Sequence, residues 1–320
     1  MSLPAGFGDT LAARVQARRS QIVLGLDPDP SALWPVAGEP ELGANVGDPS
    51  DLHAGEASAG ERVASAVVVH CRALIDATAG ACVAVKPQLA CFERLGAPGW
   101  SALVEVVDHA RARGLLVIAD GKRGDISVSA SAYAQGLIGG VETPFGAVAG
   151  LGADMVTVNP LMGADAVEPF VAAARAAGAG VLALVRTSNP GAADVEDLEL
   201  AGGGTVWERL AGIVEELGAS AVGKSGLSDV GAVVGATVPA HLARARELMP
   251  HATFLLPGVG AQGGRVEDLA PAFAPGRAGG LVTASRSIAG AYLTSGGDPG
   301  EAALAEAERL RASAWALGGR

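Results

Sequence analysis

Short apolar runs, several of them rich in β-branched residues, recur along the chain, and each is followed by a longer stretch whose apolar positions return at helical spacing. The runs are IVLGLD (22–27), CVAVKP (82–87), LLVIAD (115–120), MVTVNP (155–160), VLALVR (181–186), GAVVGAT (231–237), TFLLPG (253–258) and GLVTAS (280–285). The first five are followed by predicted helices near 60–79, 99–113, 127–138, 164–177 and 205–217, and a helical stretch follows each of the last three. Continuous apolar strands read as buried on both faces, which is the pattern of a parallel sheet covered by helices. Eight strand–helix units are the count of a closed (β/α)8 TIM barrel, the fold class predicted here. A doubly wound open sheet is the alternative.

Two segments exceed what simple connections need. Residues 28–58 are rich in Pro, Gly and acids and read as an insertion after the first strand, lying over the barrel mouth. Residues 187–204 (TSNPGAADVEDLELAGGG) contain a Pro-Gly turn and a Gly run, suited to a mobile or ligand-covering loop. No internal repeat and no second domain is evident, so residues 1–320 are read as one domain.

Charged and polar residues gather where the strands stop. The strands end in or run into Asp27, Lys86, Asp120, Asn159, Arg186 and Arg286, and their starts show no such series. Barrel chemistry sits at the carboxyl ends of strands, so the series marks the candidate site. The densest stretch is LLVIADGKRGDISVS (115–129). Alternation in an extended backbone points Asp120 and Lys122 the same way, with Asp125 one turn later. Such charges beside an apolar core must compensate one another, either as a structural ion network or as a reaction centre. Asp125 also stands where a helix N-cap is ordinarily found. Asn159 either lines the site or caps its strand, and Arg123 and Arg186 read as supporting charges.

Composition narrows the field. The chain is 49% hydrophobic but only 4% aromatic, much of the apolar content being Ala and Val, and no apolar run approaches the ~18 residues of a membrane span. The N-terminal MSLPAGFGDTLAARVQARRS reads as an amphipathic helix without a secretory core, which implies a cytoplasmic protein. Lys and Arg number 23 against 34 Asp and Glu, a net charge of −11, which argues against nucleic acid as a partner. A small anion held by a few local cations remains compatible with that balance. Cys71, Cys82 and Cys91 are odd in number and lack any CxxC spacing, so neither a disulfide framework nor a thiolate zinc site is indicated.

A phosphate site is predicted at LLPGVGAQGG (255–264), where Gly258, Gly260, Gly263 and Gly264 let backbone N–H groups approach an anion and the next helix presents its positive end. Arg286, past the eighth strand, adds a guanidinium fork.

DGKRGDI, VKPQ, RTSNPG, PGVGAQGG and ASRSI, in this order and spacing, resemble the orotidine 5′-phosphate decarboxylase family, in particular its longer bacterial subgroup with KRGDI. The resemblance runs from about Asp27 to Arg286. It implies a cofactor-free carboxy-lyase of pyrimidine biosynthesis that converts orotidine 5′-monophosphate to uridine 5′-monophosphate and CO2. By motif it implies a charged array of Lys86, Asp120, Lys122 and Asp125, with Lys122 protonating the pyrimidine carbon. Lys86 would hold Asp120 and a ribose hydroxyl, Asp27 would take the ribose, Ser188 the pyrimidine edge, and Gln262 would bridge base and phosphate. Asp125 and Ser129 would reach the neighbouring subunit's site in a homodimer. The family usually carries Thr at the position of Ser129, and the insertion after Asp27 is longer than in its minimal members. Two rivals stand beside this reading: a metal-dependent phosphosugar lyase on the same scaffold, and a non-catalytic phosphate-binding barrel.

Overall fold

The computed structural model describes residues 6–35, 57–260 and 263–318. Most of the insertion, 36–56, and Gln262 therefore lie outside the described residues.

The elements run in the order α1 (Phe7–Arg18), β1 (Ile22–Leu26), α2 (Ala59–Thr78), β2 (Ala84–Pro87), α3 (Leu89–Glu93), α4 (Gly96–Ala112), β3 (Leu116–Arg123) and α5 (Ser127–Leu137). A hairpin of β4 (Gly140–Thr143) and β5 (Gly146–Ala149) follows, then β6 (Met155–Val158), α6 (Ala164–Ala177), β7 (Gly180–Arg186), α7 (Val206–Gly218), β8 (Val230–Val234), α8 (Pro239–Leu248) and β9 (Phe254–Leu256). The chain finishes with β10 (Gly280–Ala284), α9 (Arg286–Ala289), α10 (Tyr292–Ser295) and α11 (Pro299–Leu317).

Eight strands pair in the ring β1-β10-β9-β8-β7-β6-β3-β2. Closure rests on β1, which pairs in parallel with β2 on one side (Val23 opposite Ala84) and with β10 on the other (Ile22 opposite Val282). The open-sheet alternative is thereby excluded. Alternation along the strands divides the apolar residues between two cores. Val23, Leu116, Ile118, Met155, Leu182 and Leu281 fill the barrel interior, whereas Leu24, Val117, Val156 and Val282 face the helices.

The predicted amphipathic helix closes the lower end of the ring. In α1, Phe7, Leu11 and Val15 recur every four residues, are buried, and join the interior core. The opposite, carboxyl-terminal end is thus left for chemistry.

Three features depart from the sequence reading. The β4–β5 hairpin was not foreseen: its strands are four residues each, bounded by glycine and exposed on both faces, so no buried period marks them. The stretch after β9 is a 3-10 run, Val266–Phe273, and not an α-helix; Pro271 within it lacks the N–H that an α-helical bond requires. The 187–204 segment is held to the barrel. Arg186 forms a two-pronged pair with Asp197, at 2.8 and 2.9 Å, while Glu196 accepts from the Thr187 N–H and hydroxyl, both at 2.8 Å.

The described part of the 28–58 insertion is anchored too. Trp34 is buried, its backbone N–H donates to His70 Nδ1 of α2 at 3.0 Å, and its indole N–H donates to the Ala289 carbonyl at 2.7 Å. At the far end Ser58 and Glu61 form a reciprocal capping box that starts α2, a device worth about 1 kcal/mol.

Candidate active site

Strand alternation decides which polar residues meet inside the mouth. Lys86 shares the inward parity of Ala84 on β2, Asp120 that of Ile118 on β3, and Thr157 that of Met155 on β6. All three are buried. Gly25 has the inward parity on β1, and a Cβ there would stand 2.6 Å from that of Ser285. Its bareness lets Ser285 reach across and donate to Asp27 Oδ2 at 2.6 Å.

The Asp120 carboxylate is the hub. Oδ1 accepts from the Lys122 ammonium at 2.6 Å and from the Thr157 hydroxyl at 2.8 Å. Oδ2 accepts from the Lys86 ammonium at 2.6 Å and from the Gln88 amide at 3.2 Å. A carboxylate offers about four lone-pair directions, and here each oxygen holds two donors. Burial pushes the Asp120 pKa up, but the charges of Lys86 and Lys122 and their hydrogen bonds outweigh it and bring it down to about 2. The group is therefore ionised at neutral pH. Lys86 also lies 3.9 Å from Asp27, which carries the array on to β1.

Lys122 differs from its partners in two ways. Its side chain is 43% exposed, against 6% for Asp120, so the ammonium is anchored at its rear and open at its front. Its backbone has φ +47°, the left-handed region that a β-carbon makes unfavourable. Asp120 and Lys122 do point the same way, as expected, but through a kinked strand.

The glycine loop expected to cradle a phosphate has a definite internal structure. Gly258, Gly260 and Gly263 do have positive φ values, of 102°, 79° and 87°, so glycine is required there. Three N–H groups of the described part of the loop are spent within it: Gly260 donates to the Gly264 carbonyl, Gly263 to that of Gly260, and Gly264 to that of Gly258, at 2.9–3.0 Å. With a 3-10 run in place of the following α-helix, the cationic partner left for an anion is Arg286, the first residue of α9. Its guanidinium has no hydrogen bond or ion pair with a described residue, and it lines a cleft of about 110 Å³ together with Asp27, Lys86, Gly258 and Thr283.

The remaining candidates stand apart from the Asp120 hub. Asp125 accepts from the N–H of Ile126 at 2.8 Å, and Ile126, not Asp125, occupies the N-cap of α5. Ser129 is exposed on that helix. Asn159 takes the capping role, its Oδ1 accepting from the Leu161 N–H at 3.0 Å. Ser188 borders a cavity of about 220 Å³ beside Gly235 and His241. Arg123 pairs with Glu93 and lies 5.3 Å over the Tyr133 ring, a supporting position as expected.

Sequence reasoning left three contributors without roles: Thr157, Gln88 and Ser285. Gln88 and Ser285 sit inside quoted motifs, and Thr157 shares the inward parity of Met155 two residues before it, which is the signal that points to it.

A closed parallel barrel with a Lys–Asp–Lys array around a buried carboxylate at its carboxyl-terminal mouth, and beside it an arginine unpaired among the described residues, defines a (β/α)8 enzyme built for an anionic substrate. The chain belongs to the orotidine 5′-phosphate decarboxylase / HUMPS family, whose model matches residues 37–305. It is 40% identical over 305 residues to the orotidine 5′-phosphate decarboxylase of Deinococcus radiodurans, covering 95% of this chain and 96% of that one. The Rhodopirellula baltica orotidine 5′-phosphate decarboxylase is 43% identical over 235 residues, covering 72% of this chain and 76% of its own. Among solved structures, Leishmania donovani OMP decarboxylase superposes with a TM-score of 0.67 at 30% identity, covering 97% of this chain and 99% of that chain.

Proposed function

We propose that this chain decarboxylates orotidine 5′-monophosphate to uridine 5′-monophosphate and CO2 without a cofactor, in pyrimidine biosynthesis. The observation that carries the reading is the Lys122 ammonium, tethered to an ionised Asp120 at 2.6 Å and open toward the barrel mouth. When the bond between the ring carbon and its carboxylate breaks, the electron pair stays on that carbon. A fixed ammonium supplies the counter-charge there and then the proton, so that the carbon–hydrogen bond replaces the carbon–carbon bond and the lysine is reprotonated from solvent. Lys86 and Asp27 line the same cleft as Arg286, which supports giving them the ribose hydroxyls and Arg286 the phosphate in this reading. Ser188 is assigned to the pyrimidine edge and Gln262 to a bridge between base and phosphate.

The active form in this reading is a homodimer in which Asp125 and Ser129 serve the partner's site. In support, the two residues flank Ile126 and Val128, which are 49% and 83% exposed. Apolar groups of that size at a site's edge favour coverage by a second surface. The reading places the protein in the cytoplasm, where three free thiols stay reduced.

The test is an ultraviolet assay of orotidylate consumption by the purified protein with EDTA present. Turnover in chelator supports the reading. Loss with EDTA and recovery with Mg2+ favours the metal-dependent lyase, and absence of conversion in either condition favours a binding module.

A further inference from the structure

The pairing of β3 with β6 breaks where the chemistry lies. Ile118 and Ala119 pair with Met155 and Val156, and the ladder resumes with Arg123 opposite Val158. Asp120, Gly121 and Lys122 therefore face Thr157 alone, a bulge that turns the Lys122 side chain back toward the mouth. A bulge of this kind deprives the Lys122 N–H of a backbone carbonyl. The Thr157 hydroxyl takes that place, accepting from the Lys122 N–H at 2.9 Å, and its own proton goes to Asp120 Oδ1 at 2.8 Å.

We infer that Thr157 is a positioning residue for the decarboxylation, one hydroxyl fixing both the Asp120 carboxylate and the left-handed backbone of Lys122. The inference rests on the function proposed above. A threonine hydroxyl has one proton and two lone pairs, so donating to Asp120 and accepting from Lys122 together fix its rotation. Thr157 is wholly buried, so water does not compete for either bond. A non-glycine residue at φ +47° persists where its surroundings hold it, and the bond to Thr157 is the one its backbone N–H makes. Without that bond the Lys122 backbone relaxes toward negative φ and carries the ammonium off the line to the reacting carbon. A shift of the order of 1 Å at a reacting centre costs about 10²-fold in rate.

Hydroxyl and methyl make opposite demands, which separates positioning from packing. Thr157→Val keeps the shape and removes the hydroxyl; Thr157→Ser keeps the hydroxyl and removes a methyl. Steady-state kinetics with orotidylate should show Thr157→Val losing about 10²-fold in kcat with KM within about threefold, and Thr157→Ser retaining kcat within about fivefold of wild type. Equal kcat for Thr157→Val and wild type, or a Ser variant more impaired than the Val variant, overturns the inference and leaves Thr157 a packing residue. If the Val variant does not fold, the Ser and Ala variants, which differ only in the hydroxyl, give the same readout: a Ser:Ala ratio of kcat near one overturns it. Wild-type protein that fails to consume orotidylate overturns the functional reading itself and the inference with it, so the two failures are distinct.

Discussion

The Lys122 ammonium lies 2.6 Å from Oδ1 of Asp120, two residues back on the same strand, although the Lys122 backbone is left-handed. A lysine held from behind by a buried anion has little freedom to follow its substrate, and its front becomes a fixed feature of the barrel mouth. Replacing Lys122 with Ala should lower kcat by at least about 10⁴-fold, each factor of ten corresponding to about 1.4 kcal/mol of lost transition-state stabilisation. Titration calorimetry should still find uridine 5′-monophosphate bound. Comparable turnover in the variant and the wild type would remove Lys122 from the chemistry.

Arg286 is separated from the charged array by a cleft of about 110 Å³ and, among the described residues, has no anion paired with it. Charge-assisted bonds to a phosphate are worth about 1.5–3 kcal/mol, so Arg286→Ala should raise KM for orotidylate by about 10- to 100-fold. Orotidine without its phosphate should react far more slowly in the wild type and lose nothing further in the variant. An unchanged KM for the nucleotide would place the phosphate elsewhere.

Two buried groups give the stability an acid dependence in separate windows. Burial pushes the His70 pKa from 6.5 down to about 4, and its Nδ1 accepts the Trp34 N–H, so the ring is neutral in the fold. The unfolded chain therefore binds the extra proton first. His70's contribution is complete above pH 6.5 and is lost as pH falls through about 4, with a size of about 3 kcal/mol. Asp120, held down to about 2 from 3.8, follows the same sign lower: its share, about 2 kcal/mol, is present above pH 3.8 and disappears as pH falls toward 2. Urea unfolding between pH 7 and 4 should show a falling midpoint in the wild type and a flatter one in His70→Gln. Parallel curves would assign the loss to other groups.

The proposed sharing of sites between subunits is tested by mixing. Lys122→Ala and Asp125→Ala proteins, each inactive alone, should on subunit exchange yield heterodimers in which one of two sites has both native residues. Random exchange then restores about a quarter of wild-type activity. Confirmed exchange without recovery would show that Asp125 does not act across the interface.

The eight strands of the ring, the barrel class, the strand-end place of Lys86 and the shared face of Asp120 and Lys122 were legible in the chain, because alternation and strand-end charge are local properties of a few consecutive residues. Motif resemblance carried the family, which the comparisons established independently. The β4–β5 hairpin was not legible, since four-residue strands with no buried face leave no period to read. Nor was the fate of the glycine loop: the N–H groups of Gly260, Gly263 and Gly264 are spent on carbonyls three to six residues away, and composition does not reveal which acceptor a donor finds. Thr157 belongs to the same group. Its place against Asp120 and Lys122, 37 and 35 residues earlier, follows from the register break between two neighbouring strands, and that register is set only when the ring closes. The sequence determined which residues could carry charge into the mouth; the tertiary structure decided which donor meets which acceptor, because hydrogen bonds depend on separations of a few ångströms that only the packed barrel fixes.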